Sequence, residues 1–95
     1  MTIDLKLKQD IFNTFQNSSL VMEAIGLIEK GKLLEGRAVL SQIMDEYREL
    51  NPTEKFILTK DDIDRHNLHV ETLTNMESCY SAYMAEIEKY ELLRQ

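Results

Sequence analysis

Three potential metal ligands lie on one side of a predicted helix, close to its start. Asp62, His66 and His69 have the spacing Asp-x3-His-x2-His, which places a carboxylate and two imidazoles on one stripe. Such groups bind divalent metals, but a structural zinc site has four ligands and no fourth follows nearby. We therefore predict no metal site, and we expect His69 to be a half-buried histidine on the apolar side of the helix.

The single cysteine, Cys79, lacks the partners that nucleophilic chemistry needs. It follows His69 by ten residues, or about 15 Å along a helix, which is too far for a Cys–His pair. No basic residue lies within one turn to lower its pKa. We predict a small, buried apolar side chain. Since one cysteine cannot form an internal disulfide, the sequence also favours a reducing compartment, the cytoplasm.

Paired carboxylates recur at helical spacing, as in Asp45 with Glu49 and Glu88 with Glu91. They alternate with basic residues on sides that we expect to face solvent, whereas acid–base catalysis needs a pocket that separates two pKa values. The chain has no His-Glu-x-x-His motif, no nucleophile elbow and no phosphate-binding glycine loop. We therefore expect no enzyme activity and no cofactor.

The elements that would position these residues are all helical. The 95 residues include only 3 glycines and 1 proline, and apolar residues recur at helical spacing along most of the chain. We predict one all-α domain over 1–95, an antiparallel bundle or hairpin of three to four helices with a long C-terminal helix. The helices should cover about 4–17, 19–30, 33–50 and 60–93, with a short helical turn over 52–58. Residues 4–30 could instead form one continuous helix.

The predicted helix over 33–50 carries a heptad seam. Its residues step by three and four, and they are Leu33, Gly36, Leu40, Ile43, Tyr47 and Leu50. The missing side chain of Gly36 would permit close approach of a neighbouring backbone. Gly31 directly follows Lys30, which is typical of a helix end, so this helix should form an antiparallel hairpin with the one before it.

The C-terminal helix should be roughly 50 Å long, more than the other helices can cover. Its seam runs through His69, Leu73, Met76, Tyr80, Tyr83, Ile87 and Tyr90, and three of the chain's 4 tyrosines lie in its last part. Tyrosine and methionine are frequent at interface centres, although the same pattern also fits a plain core. The predicted partner-binding residues are Met76, Tyr80, Tyr83, Met84, Ile87 and Tyr90.

Charge excludes two classes of ligand. The net charge is −6, and lysine and arginine are not clustered anywhere. Nucleic acids and anionic membrane surfaces both require such clusters, so we expect neither as a partner. The sequence has no apolar run near the ~20 residues of a membrane span, and its start lacks the pattern of a signal peptide.

The order of these elements resembles the small export chaperones of flagellar and type III secretion systems, of the FliT kind. The resemblance covers about residues 19–93. It rests on the helix ending Leu27-Ile28-Glu29-Lys30-Gly31, the heptad helix from Leu33 to Leu50, and the long helix that contains Tyr80 and Ile87. Those proteins are helical hairpins that shield a helix of a cognate subunit, which implies a chaperone-like role.

The sequence thus predicts a small acidic protein-binding module, chaperone- or adaptor-like. It would recognise a partner helix through the apolar Tyr/Met face of its C-terminal helix. One alternative is a self-assembling structural subunit, in which the same seam pairs with its own copy as a dimer. Another is a small inhibitor of a host protein, encoded by a phage or plasmid.

Overall fold

The computed structural model describes the backbone of residues 3–50 and 59–94, with side chains as far as residue 89. These residues form four helices and no strand: α1 (Leu5–Phe15), α2 (Leu20–Glu29), α3 (Leu33–Glu49) and α4 (Lys60–Arg94). The all-α prediction is confirmed, and the stretch 4–30 holds two helices rather than one. The predicted helical turn over 52–58 lies outside the described residues.

Short polar side chains set the boundaries of the first two helices. The Asp4 carboxylate accepts a hydrogen bond from the Lys6 amide at 3.2 Å and caps the start of α1. The Ser18 hydroxyl accepts one from the Leu20 amide at 3.2 Å, at the start of α2. Because the Ser18 hydroxyl competes for a backbone amide, α1 ends at Phe15, two residues before the predicted end.

Gly31 ends α2, as its position directly after Lys30 predicted. Its φ of 79° lies in the left-handed region that favours glycine. The Lys32 amide then donates to the Leu27 carbonyl at 2.9 Å, and the Gly31 amide donates to the Ile28 carbonyl at 3.0 Å. These bonds satisfy the last carbonyls of α2 and reverse the chain into α3. The predicted antiparallel hairpin is therefore confirmed.

The long helix α4 begins with a reciprocal cap. The Thr59 hydroxyl accepts a hydrogen bond from the Asp62 amide at 3.2 Å, and the Asp62 carboxylate accepts one from the Thr59 amide at 3.1 Å. From there α4 continues for 35 residues, and the molecule is 53 Å long in its largest dimension. The long C-terminal helix is thus confirmed.

The four helices form an up-and-down antiparallel bundle, in which α1 contacts α2, α2 contacts α3, α3 contacts α4, and α4 contacts α1. Exposed ion pairs join neighbours: Lys8 with Glu29 at 3.5 Å, and Arg48 with Glu77 at 3.3 Å. The buried apolar core draws on every helix and consists of Ile3, Ile11, Phe15, Val21, Ala24, Ile28, Leu40, Ile43, Met44, Met76, Tyr83 and Ile87.

The predicted seam of α3 is buried in its middle, partly buried at Leu33 and Tyr47, and exposed at its last position. Gly36, Leu40 and Ile43 are buried, whereas Leu50 is exposed. Leu50 is the C-cap residue of α3, which ends at Glu49. At Gly36 an added Cβ would lie 3.0 Å from Ile28 Cγ1 and 3.5 Å from the Ala24 carbonyl oxygen, so the backbone of α2 approaches α3 at this position.

Candidate functional site

The Tyr/Met face of α4 lies mostly inside the bundle. Tyr83 has 0% exposure, and Met76 and Ile87 are also buried. These three of the predicted partner-binding side chains are therefore enclosed in the protein's own core. The physical reason is that α1, α2 and α3 leave an apolar gap along one side, and the seam of α4 fills it.

Tyr83 uses its hydroxyl within the molecule. The hydroxyl donates to the Leu33 carbonyl at 2.5 Å, and this bond joins α4 to the start of α3. Burial raises the pKa of Tyr83 to about 12, and the nearby Tyr80 contributes in the same direction. Space for the hydroxyl exists because Gly36 has no side chain: a Cβ there would lie 3.1 Å from the Tyr83 oxygen. The sequence signal for this contact was Gly36 on the α3 seam.

Two of the predicted partner-binding residues retain some surface. Tyr80 and Met84 are partly buried and pack against the edge of the core. Tyr80 also borders a shallow depression on the outer side of α3, next to residues such as Ala38 and Ser41. The side chain of Tyr90 lies outside the described part of α4.

One of the two histidines, His69, packs against α3. The ring of His69 stacks on that of Tyr47, with centroids 4.3 Å apart and planes 5° from parallel. Burial lowers the pKa of His69, and the neighbouring His66 lowers it further. The Asp62 carboxylate bonds to Arg65 and to the Thr59 amide. Among the described residues, no three His, Cys, Asp or Glu side chains are grouped so as to hold a metal ion.

Cys79 is half-buried between α4 and α1, less enclosed than predicted. Burial raises the pKa of its thiol, a hydrogen bond with Thr14 lowers it, and the Asp10 carboxylate raises it again. The net effect is a raised pKa, which keeps the thiol protonated at neutral pH. This is the opposite of what a nucleophilic cysteine requires.

Several large apolar side chains on α1 and α2 are exposed. Leu5 is 63% exposed and Phe12 is 41% exposed on α1, and Met22 is 61% exposed on α2. Leu5, Phe12 and the partly buried Ile25 line an open groove of about 400 Å³ between the two helices. We call this the α1–α2 groove. The sequence did not predict this groove, because α1 carries two apolar rows and helical spacing does not determine which of them the other helices cover.

A second group of exposed apolar residues lies near the start of α4. Ile63 is 49% exposed, Val70 is 46% exposed, and Leu68 is exposed as well. In the described part of α4, the exposed large apolar residues lie near the start of the helix and not at its tyrosine-rich end.

No helix in the described ranges contains a stretch long and apolar enough to cross a membrane. Comparison with known proteins leaves the family open: no family model matches the chain, and neither a curated protein nor a solved structure is detectably similar to it.

Proposed function

We propose that this chain is a small, acidic protein-binding module, chaperone- or adaptor-like, that holds an amphipathic helix of a partner protein in the α1–α2 groove. The observation that carries the proposal is the open groove between α1 and α2, which is lined by the exposed Leu5 and Phe12 and the partly buried Ile25. Large apolar side chains grouped at a surface groove are typical of protein–protein contacts.

The spacing of the groove residues suits a helix as the bound element. Leu5 and Phe12 are seven residues apart, so they stand two turns apart along α1, a distance of roughly 10.5 Å. Ile25 and Met22 are three residues apart on α2 and face the same way. A partner helix with apolar residues at i, i+3 or i+4, and i+7 would contact both rows.

The rim of the groove supports the same proposal. Lys8 and Glu29 form an ion pair across one part of the groove, and Gln9 and Asn13 line its edge. An apolar centre with a polar rim is the usual composition of a protein interface. Phe12 is the aromatic residue of this centre, and buried aromatic anchors often supply a large share of binding energy.

The proposed binding site is not the one that the sequence favoured, the Tyr/Met face of α4. The Tyr/Met face of α4 contributes Met76, Tyr83 and Ile87 to the protein's own core, so little of it is left for a partner. Helix recognition remains the proposed mode of binding, and the exposed groove takes the place of the buried face.

Affinity capture from an extract of the source cell tests the proposal. The immobilised proteins are the natural chain, Phe12→Arg in the groove, and Leu68→Arg as a matched control at an exposed leucine of α4. We expect a captured protein that Phe12→Arg loses by at least about tenfold, or roughly 1.4 kcal/mol, and that Leu68→Arg retains. Equal capture by all three proteins, each folded by circular dichroism, would contradict the proposal.

A further inference from the structure

Four residues form an uncharged row on the outer side of α4, near its start. Ile63, Asn67, Val70 and Thr74 step by four, three and four, and all are exposed. The core side of α4 is marked here by the buried His69. The four row residues lie on another side of the helix, which faces away from the core. This spacing is that of a coiled-coil seam, here without a partner helix among the described residues.

We propose that this row, which we call the α4 stripe, pairs with the same row of a second copy of the chain. The two helices would run parallel about a two-fold axis. The inference goes beyond the proposed function and does not depend on it, because the α1–α2 groove lies on other helices and stays free in such a dimer.

The side chains beside the stripe favour parallel over antiparallel pairing of two copies, and they give two parallel copies a complementary contact. Asp64 and Glu71 lie along one edge of the stripe, and His66 lies along the other. Antiparallel pairing would place Asp64 of each copy against Glu71 of the other, which is repulsive. Parallel pairing brings His66 of one copy next to Glu71 of the second copy, five residues further along, where their hydrogen-bonding groups are complementary.

The polar members of the stripe are compatible with this arrangement. A single asparagine in such a seam fixes register and orientation at some cost in stability, and Asn67 lies between Ile63 and Val70. In a parallel pair the two Asn67 amides meet across the axis. The Thr74 hydroxyl already donates to the Val70 carbonyl at 2.8 Å, so only its methyl group has to be covered.

The short length of the α4 stripe predicts a weak dimer. It covers residues 63–74, or about 17 Å of helix, and this buries far less than the roughly 800 Å² per partner of a stable complex. Glu77 occupies the next seam position and forms an ion pair with Arg48, so pairing ends before it. Association should therefore appear only at high protein concentration.

Analytical ultracentrifugation of the full chain, from micromolar to millimolar concentration, tests the dimer. We expect a dimer fraction that rises with concentration, that Val70→Arg abolishes, and that Leu68→Arg leaves unchanged, since Leu68 lies on another side of α4. Asn67→Leu should tighten association by at least about tenfold, because it replaces the polar seam residue. A monomer at all concentrations, or a dimer that Val70→Arg does not weaken, overturns the proposal.

Cross-linking distinguishes the two orientations. In a Cys79→Ser background, Asn67→Cys should form a disulfide-linked dimer under mild oxidation, because the two positions meet across the axis. A mixture of Asp64→Cys and Glu71→Cys proteins in that background should not cross-link with each other. If that mixture cross-links and Asn67→Cys does not, the dimer is antiparallel and the proposed pairing is wrong.

Discussion

Tyr83 is the residue whose role changes most between sequence and structure. By type and spacing it fitted either a core or an interface, because tyrosine has an apolar ring and a hydroxyl that needs a partner. The structure supplies that partner within the chain, in the Leu33 carbonyl. A sequence shows that the hydroxyl requires a bond, but the acceptor lies 50 residues away, on a different helix.

The variant Tyr83→Phe should lower the free energy of unfolding by about 1–2 kcal/mol, because the hydrogen bond to Leu33 is lost while the ring still fills the core. Chemical denaturation measures this as a lower midpoint with an unchanged slope. Capture of a partner should be unaffected. If Tyr83→Phe is as stable as the natural chain but no longer captures a partner, the hydroxyl takes part in binding.

The burial of His69 predicts that stability falls in mild acid. Its pKa is lower in the folded protein than in the unfolded chain, because burial disfavours the charged ring. The unfolded chain therefore binds more protons below its own pKa of about 6.5, and stability decreases as the pH falls through that value. Above that pH, the contribution of His69 to the free energy of unfolding has its full value.

Denaturation midpoints on either side of that pH measure the effect, and His69→Phe is the control. Phenylalanine keeps a ring against Tyr47 but does not titrate. The natural chain should lose more stability on acidification than the variant does. The same loss in both proteins would assign the effect to other groups.

At the scale of the element, most of the fold could be predicted from the sequence. Gly31 marked the end of α2, because a left-handed glycine at a helix end is a local property of the chain. The face of α1 that carries Leu5 and Phe12 was not predicted. Which of two apolar rows is buried depends on the helices that pack around α1, and local spacing does not determine that.

Two glycines provide a matched test of the α2–α3 contact. Gly36→Ala should destabilise the protein by about 1–3 kcal/mol, since the new Cβ would crowd Ile28 and the Tyr83 hydroxyl. Gly26→Ala should stabilise it by about 0.5–1 kcal/mol, because it lies within α2 and an added Cβ meets nothing within 4 Å. Thermal unfolding of both variants measures the difference. Equal effects would show that the helices are not in close contact at Gly36.

At the scale of the whole molecule, the tyrosine-rich part of α4 closes the bundle. Ending the chain after Tyr80 removes Tyr83 and Ile87 from the core. We expect the shortened protein to lose its cooperative thermal transition and much of its helical circular dichroism signal, since a small bundle has little stability to spare. If it unfolds cooperatively near the natural midpoint, the core does not depend on that part of α4.

The candidate site was less predictable than the fold, for a reason that belongs to the whole molecule. Helical spacing shows that Met76, Tyr83 and Phe12 each lie on apolar faces, but only the assembled bundle shows that Phe12 stays at the surface while the other two are covered. Which apolar side chains stay exposed therefore depends on how all four helices pack together.

Hydrogen–deuterium exchange of the protein with and without its captured partner tests the proposed binding site most directly. The proposal predicts slower exchange on binding in α1 and α2, over Leu5–Phe15 and Leu20–Glu29, with little change around Tyr80 and Met84. Protection confined to α4 around Tyr80 and Met84, with α1 and α2 unchanged, would contradict it.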